Sequence, residues 1–99
     1  MTTKKAAKIE RPRRKRVTFR FEAGPESDVR LAGTFNNWDV ESHPLTRKNG
    51  NGTYGTTLLL PPGRYEYKFI VNGEWQCDPA CPSFAPNEHG TLNSVVEVQ

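Results

Sequence analysis

From Val17 onward the chain alternates between apolar and polar positions. In VTFRFEA, Val17, Phe19 and Phe21 fall on one side and Thr18, Arg20 and Glu22 on the other, the period of two imposed on a strand with one buried face. GPESD supplies a turn, and DVRLAGTF reads as a second strand with Val29, Leu31 and Gly33 in phase. The two runs are close enough in sequence to pair as a hairpin. LTRK reads as a short strand, NGNG as a turn, and TYGTTLLL as a strand with Tyr54, Thr56, Leu58 and Leu60 on one face. After the PPG turn, RYEYKFIVNG shows the clearest alternation in the chain. Tyr65, Tyr67, Phe69 and Val71 are expected inward, and Arg64, Glu66, Lys68 and Ile70 outward. TLNSVVEVQ is a last strand, with Asn93 out of phase with Val96 and Val98. FNNWDVESHP reads as a loop and EWQCDPACPSFAPNEHG as a long irregular stretch. Short strands at roughly ten-residue spacing, with no extended helical period and no internal repeat, predict an all-β sandwich.

Length and charge divide the molecule further. Ninety-nine residues suffice for one domain and fall far short of the roughly 250 of a catalytic barrel. The net charge of +3 is unevenly placed: residues 1–16 hold eight basic residues against Glu10 alone, or +7, which leaves −4 on the remainder. Residues 1–15 therefore read as a disordered basic arm and residues 16–99 as the folded domain. The alkaline character belongs to the arm. By charge alone the arm can meet nucleic acid, but it lacks the interleaved aromatics that stack on bases, so nucleic acid is not expected as a partner of the domain. No run of about 20 apolar residues is present and the N-terminus lacks the apolar core of a secretory signal. The expectation is a soluble, cytoplasmic protein without a membrane span.

The residues that carry chemistry are two tryptophans and a few polar side chains. Trp38 follows Phe35-Asn36-Asn37 in a polar loop, and Trp75 follows a tight Asn-Gly turn; neither is in phase with an inward strand face. An indole is a flat apolar plate with one N–H donor. It complements a pyranose ring, whose C–H face is apolar and whose hydroxyls lie at the rim. A loop tryptophan more commonly plugs the edge of a core, so neither ring identifies a ligand alone. Lys68 offers three donors, and Asn36, Asn37 and Asn93 each donate and accept, which matches a sugar diol.

Other chemistries find little support. Glycoside hydrolysis needs two carboxylates at a set separation across the bond; Asp39, Glu41, Asp78 and Glu88 lie on loops, where acids are expected to be solvated. There is no GxSxG elbow. Cys77 and Cys81 form C-x3-C, and His43 and His89 are the histidines that could join them, but the ligand pairs at characteristic spacing that structural zinc uses are missing. No catalytic residue, metal or cofactor is expected.

The ordered strings VRLAGTFNNWD, PLTR, NGTYGTTLLLPPGRYEYKFIVNGEW, DP and GTLNSVVEV resemble carbohydrate-binding module family 48. That family includes the glycogen-binding domain of the AMP-activated protein kinase beta subunit and the early-set N-terminal domains of isoamylases and glycogen branching enzymes. The resemblance runs from about Val17 to Val98. It implies an immunoglobulin-like, early-set β-sandwich that binds α-1,4-glucan such as glycogen, starch or maltooligosaccharides without catalysis. It assigns Trp38 and Trp75 as stacking platforms, Lys68 as a donor to sugar hydroxyls, and Thr91 and Asn93 as contacts near the last strand. His89, Asn36 and Asn37 are further candidates. Two positions depart from the kinase-type pattern: His89 stands where a leucine finger precedes Gly-Thr, and Ser94 where a second asparagine follows Asn93. These departures predict weaker binding or a different chain geometry. They also motivate the alternative, a protein-interaction or regulatory module that docks onto a glycogen-metabolising enzyme or kinase with weak or no sugar binding. An accessory domain of a family 13-type glycoside hydrolase is a further setting for the same fold.

Overall fold

The computed structural model describes residues 13–47 and 52–99. The basic arm expected over 1–15 lies mostly outside these residues, as does most of the NGNG turn. Among the described residues eight strands form: β1 (Lys15–Glu22), β2 (Val29–Gly33), β3 (Thr46–Arg47), β4 (Thr53–Leu60), β5 (Gly63–Val71), β6 (Glu74–Gln76), β7 (Phe84–Pro86) and β8 (Leu92–Val98), with a single 3-10 turn at Thr34–Asn36. One antiparallel sheet has the order β1-β4-β3; the other has the order β2-β5-β8-β7, with β6 also on β5. The architecture is the all-β sandwich that the alternation predicts. No helix among the described residues is long and apolar enough to cross a membrane.

The core lies where the inward phases meet. Phe19, Phe21, Tyr54 and Leu60 come from the first sheet; Val29, Leu31, Tyr67, Phe69, Val71 and Val98 come from the second. Phe21 meets Phe69 at 5.0 Å between ring centroids, and Phe19 meets Tyr67 edge-on at 4.9 Å, geometries that suit the quadrupoles of the rings.

Three expectations need correction. β1 and β2 do not form a hairpin: β1 pairs with β4 from Lys15↔Leu60 to Glu22↔Thr53, and β2 pairs with β5. The link between them crosses from one sheet to the other, which puts the apolar face of β1 against the second sheet, where Phe19 and Phe21 meet Tyr67 and Phe69 of β5. Tyr54 pins the crossing, its hydroxyl donating to the Gly24 carbonyl (3.0 Å) and accepting from the Ser27 N–H (3.1 Å). Second, Ile70 is outward by phase yet only 6% exposed, because its register partners Arg30 and Trp75 flank it on the outer face. Third, the stretch after Gly73 is not wholly irregular: it contains β6 and β7. β6 takes the edge of β5 that β8 leaves, since β8 pairs as far as Tyr67 and β6 begins at Phe69.

The acid Asp78 is another departure, since it is buried rather than solvated. Its Oδ2 accepts from the Tyr67 hydroxyl (2.7 Å), its Oδ1 from the Ala80 N–H (2.9 Å), and its own N–H donates to Ser94 Oγ (2.8 Å). Burial, followed by the Asp78 hydrogen bond, pushes the Tyr67 phenol well above its ordinary pKa. The Asp-Pro step thus staples the β6–β7 loop to the core. Cys77 and Cys81 are free. Their thiols donate to carbonyls of the neighbouring strand, Cys77 to Leu92 (3.0 Å) and Cys81 to Val95 (3.2 Å).

Candidate functional site

The outer face of the second sheet carries an open cleft of about 880 Å³, lined by Trp38, Lys68, Trp75, His89, Thr91 and Asn93 together with Thr34, Glu66, Asn87 and Glu88. Period two sends Glu66 and Lys68 to this face and Tyr67 to the core. Trp75 arrives by a different device. Asn72 (φ 51°) and Gly73 (φ 87°) are both left-handed, the backbone of a tight I′-type hairpin. That turn sets Trp75 opposite Ile70 on β5 and leaves the residue 47% exposed.

Trp38 is held by its loop. Asn36 accepts from the Gly33 N–H (3.0 Å) and donates to the Leu31 carbonyl (3.2 Å). Its amide nitrogen also meets His43 Nδ1 at 2.8 Å. Because the backbone N–H fixes which end of that amide is oxygen, His43 Nδ1 must accept. The Trp38 N–H donates to the Gly33 carbonyl (2.9 Å). Asp39 then closes the loop, accepting from the Glu41 N–H and the Ser42 hydroxyl, both at 2.9 Å; these bonds, the Glu41 N–H first, hold its carboxyl below the usual range. Arg30 braces the far side through Asp28 and Glu41, each at 2.9 Å. Gly33 has no room for a side chain, since a Cβ there would lie 2.5 Å from the Glu66 carbonyl oxygen. Asn37 and Trp38 both have φ 58°, a left-handed backbone that a bulky residue adopts only at a cost of about 1–3 kcal/mol. The anchored loop sustains that strain, and the product is an indole whose centroid lies 6.4 Å from that of Trp75, with the planes tilted by 44°. Trp38 is half-buried rather than bare.

A hydrogen-bonded frame forms the polar side of the cleft. Lys68 Nζ donates to Thr91 Oγ1 (3.2 Å). Asn87 Nδ2 donates to Thr91 Oγ1 (2.8 Å) and Asn93 Oδ1 (2.9 Å), and Asn93 Nδ2 donates to Glu66 Oε1 (2.9 Å). Arg64 bonds the other Glu66 oxygen at 2.9 Å. The Asn93 amide, and after it Arg64, hold the Glu66 carboxyl below its ordinary pKa against the opposing effect of burial. Asn93 lies on the cleft face as its phase suggests, yet is only 6% exposed because both ends of its amide are engaged. His89 sits exposed at the rim, 3.8 Å from Glu88.

The structure thus brings together six candidates, Trp38, Lys68, Trp75, His89, Thr91 and Asn93, and separates two others. Asn36 spends its amide on the turn beneath Trp38, and Asn37 supplies a left-handed residue of that turn; neither lines the cleft. Ser94 is fully buried on the opposite face, where it bonds Asp78, so this departure does not alter the cleft surface. Glu66 and Asn87 line the cleft but escape sequence reasoning. Glu66 was legible as outward by phase, whereas nothing in the spacing of Asn87 sets it apart from an ordinary turn asparagine. No group of three His, Cys, Asp or Glu residues able to hold a metal occurs among the described residues.

Comparison with known proteins bears on this geometry. A family model described as the glycogen recognition site of AMP-activated protein kinase matches residues 15–99. The 5'-AMP-activated protein kinase subunit beta-1 of Sus scrofa is 39% identical over 83 residues, covering 84% of this chain and 63% of that protein. The Homo sapiens subunit is likewise 39% identical over 83 residues, which is 28% of its length. Protein FLOURY ENDOSPERM 6, chloroplastic, of Oryza sativa subsp. japonica is 39% identical over 74 residues, 75% of this chain and 14% of that protein. The chain therefore spans less than two thirds of each of these relatives.

Proposed function

This chain belongs to the family of glycogen recognition domains of the AMP-activated protein kinase, and on that premise we propose that its cleft binds α-1,4-glucan by stacking glucose rings on Trp38 and Trp75. It is a carbohydrate-binding domain, and in this reading a non-catalytic one. The observation that carries the stacking is the pair of indoles 6.4 Å apart and tilted by 44° at one cleft. An α-1,4-linked chain curves, so successive glucose rings change direction. Two plates inclined to each other follow such a curve better than two coplanar ones. Lys68, Thr91 and Asn93 would then bond the hydroxyls at the rim of the rings.

An open cleft with few polar contacts supports modest affinity, because little buried area offsets the ordering of a flexible ligand. Many chain ends on a branched polymer restore avidity. Titration with maltoheptaose, followed by tryptophan fluorescence, tests the reading. A saturable spectral shift in the wild type, lost in Trp75→Ala, is expected. A wild-type spectrum unchanged at millimolar ligand would contradict it.

A second reading, docking onto a glycogen-metabolising enzyme or kinase, draws on a separate surface. Phe84 and Leu92 are exposed and share the phase of buried Ser94, on the sheet face opposite the cleft. Relatives named as kinase subunits make an enzyme partner the natural occupant. The two readings use different faces and are compatible.

A further inference from the structure

We infer that Asn87 is the positioning residue that sets the hydrogen-bond polarity of the cleft, making Thr91 a dedicated donor to a sugar oxygen; this rests on the glucan reading above. Backbone N–H groups are unambiguous donors. The N–H groups of His89 and Thr91 point at one end of the Asn87 amide, at 2.9 and 3.1 Å. That end must be oxygen, so the other must be the NH2. The NH2 donates to Thr91 Oγ1 and to Asn93. The Asn93 atom it meets must therefore be oxygen, which turns the Asn93 NH2 toward the Glu66 carboxylate. One amide orientation dictates the next.

Thr91 feels the largest consequence. Its hydroxyl oxygen has two lone pairs, and donors occupy both: Asn87 at 2.8 Å and Lys68 at 3.2 Å. What remains is the hydroxyl proton, which has no acceptor among the described residues. Lys68 keeps two further N–H groups. The Lys68–Thr91 end of the cleft thus offers donors only, while the Glu66 carboxylate, two residues along β5, offers acceptors only. The ligand chemistry that fits is a vicinal diol, with one oxygen accepting at Lys68–Thr91 and the neighbouring hydroxyl donating toward Glu66. Asn87 also ties the 87–91 turn together, its backbone N–H donating to the Thr91 carbonyl at 2.9 Å.

Asn87→Asp separates polarity from loop folding. It keeps an oxygen for the His89 and Thr91 N–H groups but loses both NH2 donors. The expected result is unchanged amide-exchange protection at His89 and Thr91, a lowered melting temperature because the new carboxylate oxygen faces Asn93 Oδ1, and maltoheptaose affinity reduced roughly five- to tenfold. Thr91→Val in the wild-type background should lose a similar factor. In the Asn87→Asp background Thr91→Val should add little, because the two residues act through one hydroxyl. Asn87→Ala, scored only if it melts as a folded domain, should match or exceed the loss of Asn87→Asp. Wild-type affinity in Asn87→Asp would overturn the inference, as would full additivity of the Asn87→Asp and Thr91→Val losses, while the glucan reading would stand in either case. A wild type that fails to bind maltoheptaose would overturn both.

Discussion

On its inner face β5 presents Tyr65, Tyr67, Phe69 and Val71 to the opposite sheet; on its outer face it presents Glu66 and Lys68 to the cleft. The polar atoms on the two faces are treated differently. Inside, the Tyr67 hydroxyl and the Asp78 N–H each donate, to Asp78 Oδ2 and Ser94 Oγ, and both Asp78 oxygens accept, as burial demands, since an unpaired polar atom there costs about 1–3 kcal/mol. Outside, Lys68, Thr91, Asn93 and Glu66 are bonded enough to be oriented and still retain donors and lone pairs for a ligand. In the proposed reading, capacity to bind resides in that incompleteness, and the frame within the protein determines its direction.

Substitutions on each face break the comparison in turn. Trp75→Ala removes a half-exposed plate that also covers Ile70 and should cost about 1–2 kcal/mol of folding stability, while lowering maltoheptaose affinity by about 2–3 kcal/mol, as for a central aromatic hot spot; calorimetric titration and thermal melting read the two quantities. Gly33→Ala joins the faces, because its Cβ would press on the Glu66 carbonyl and the Phe35 ring. Destabilisation by about 1–3 kcal/mol is expected from overpacking, together with weaker binding as the Trp38 loop shifts. Tyr67→Phe acts on the inner face alone. Losing the bond to Asp78 should cost about 1–2 kcal/mol in urea unfolding, with glucan affinity unchanged once the domain is folded.

The smallest expected effect is a pH dependence through Glu66. Its carboxyl is held below the ordinary range by the Asn93 amide and Arg64, so the folded state favours the ionised form. That contribution is complete above the unfolded pKa, near 4.3, and is lost as pH falls through the lower folded value. Stability and affinity should therefore show no Glu66-linked change from neutral pH down to about 5, and decline in acid. Glu66→Gln should flatten this component in melts recorded across the same pH series.

Much of this was legible in the sequence, for identifiable reasons. Alternation in RYEYKFIV assigned both faces of β5 correctly; it did not show that the outward Ile70 is covered, because burial by flanking Arg30 and Trp75 is a tertiary event that phase does not encode. Strand existence was legible but not pairing: β1 and β2 carry the same alternation whether they form a hairpin or belong to different sheets. β6 and β7 are three residues each, too short for periodicity to register amid prolines. At the site, Trp38 and Trp75 were visible as aromatics out of phase with the core. Their approach to 6.4 Å depends on two left-handed turns, of which only Asn72-Gly73 announces itself by residue type. Asn87 was illegible because its importance lies in four side-chain bonds and not in its neighbours along the chain. Asn36 lies beneath the turn and off the cleft for the converse reason: a loop asparagine serves a backbone turn as readily as a diol.

The most direct test of the account is a map of backbone and indole N–H resonances during a maltoheptaose titration of the isotopically labelled protein. The account predicts saturable shifts at the indoles of Trp38 and Trp75 and at the amides of Lys68, His89, Thr91 and Asn93, with β1, β3 and β4 undisturbed. Shifts concentrated on the β1-β4-β3 sheet, or none at millimolar ligand, would contradict it.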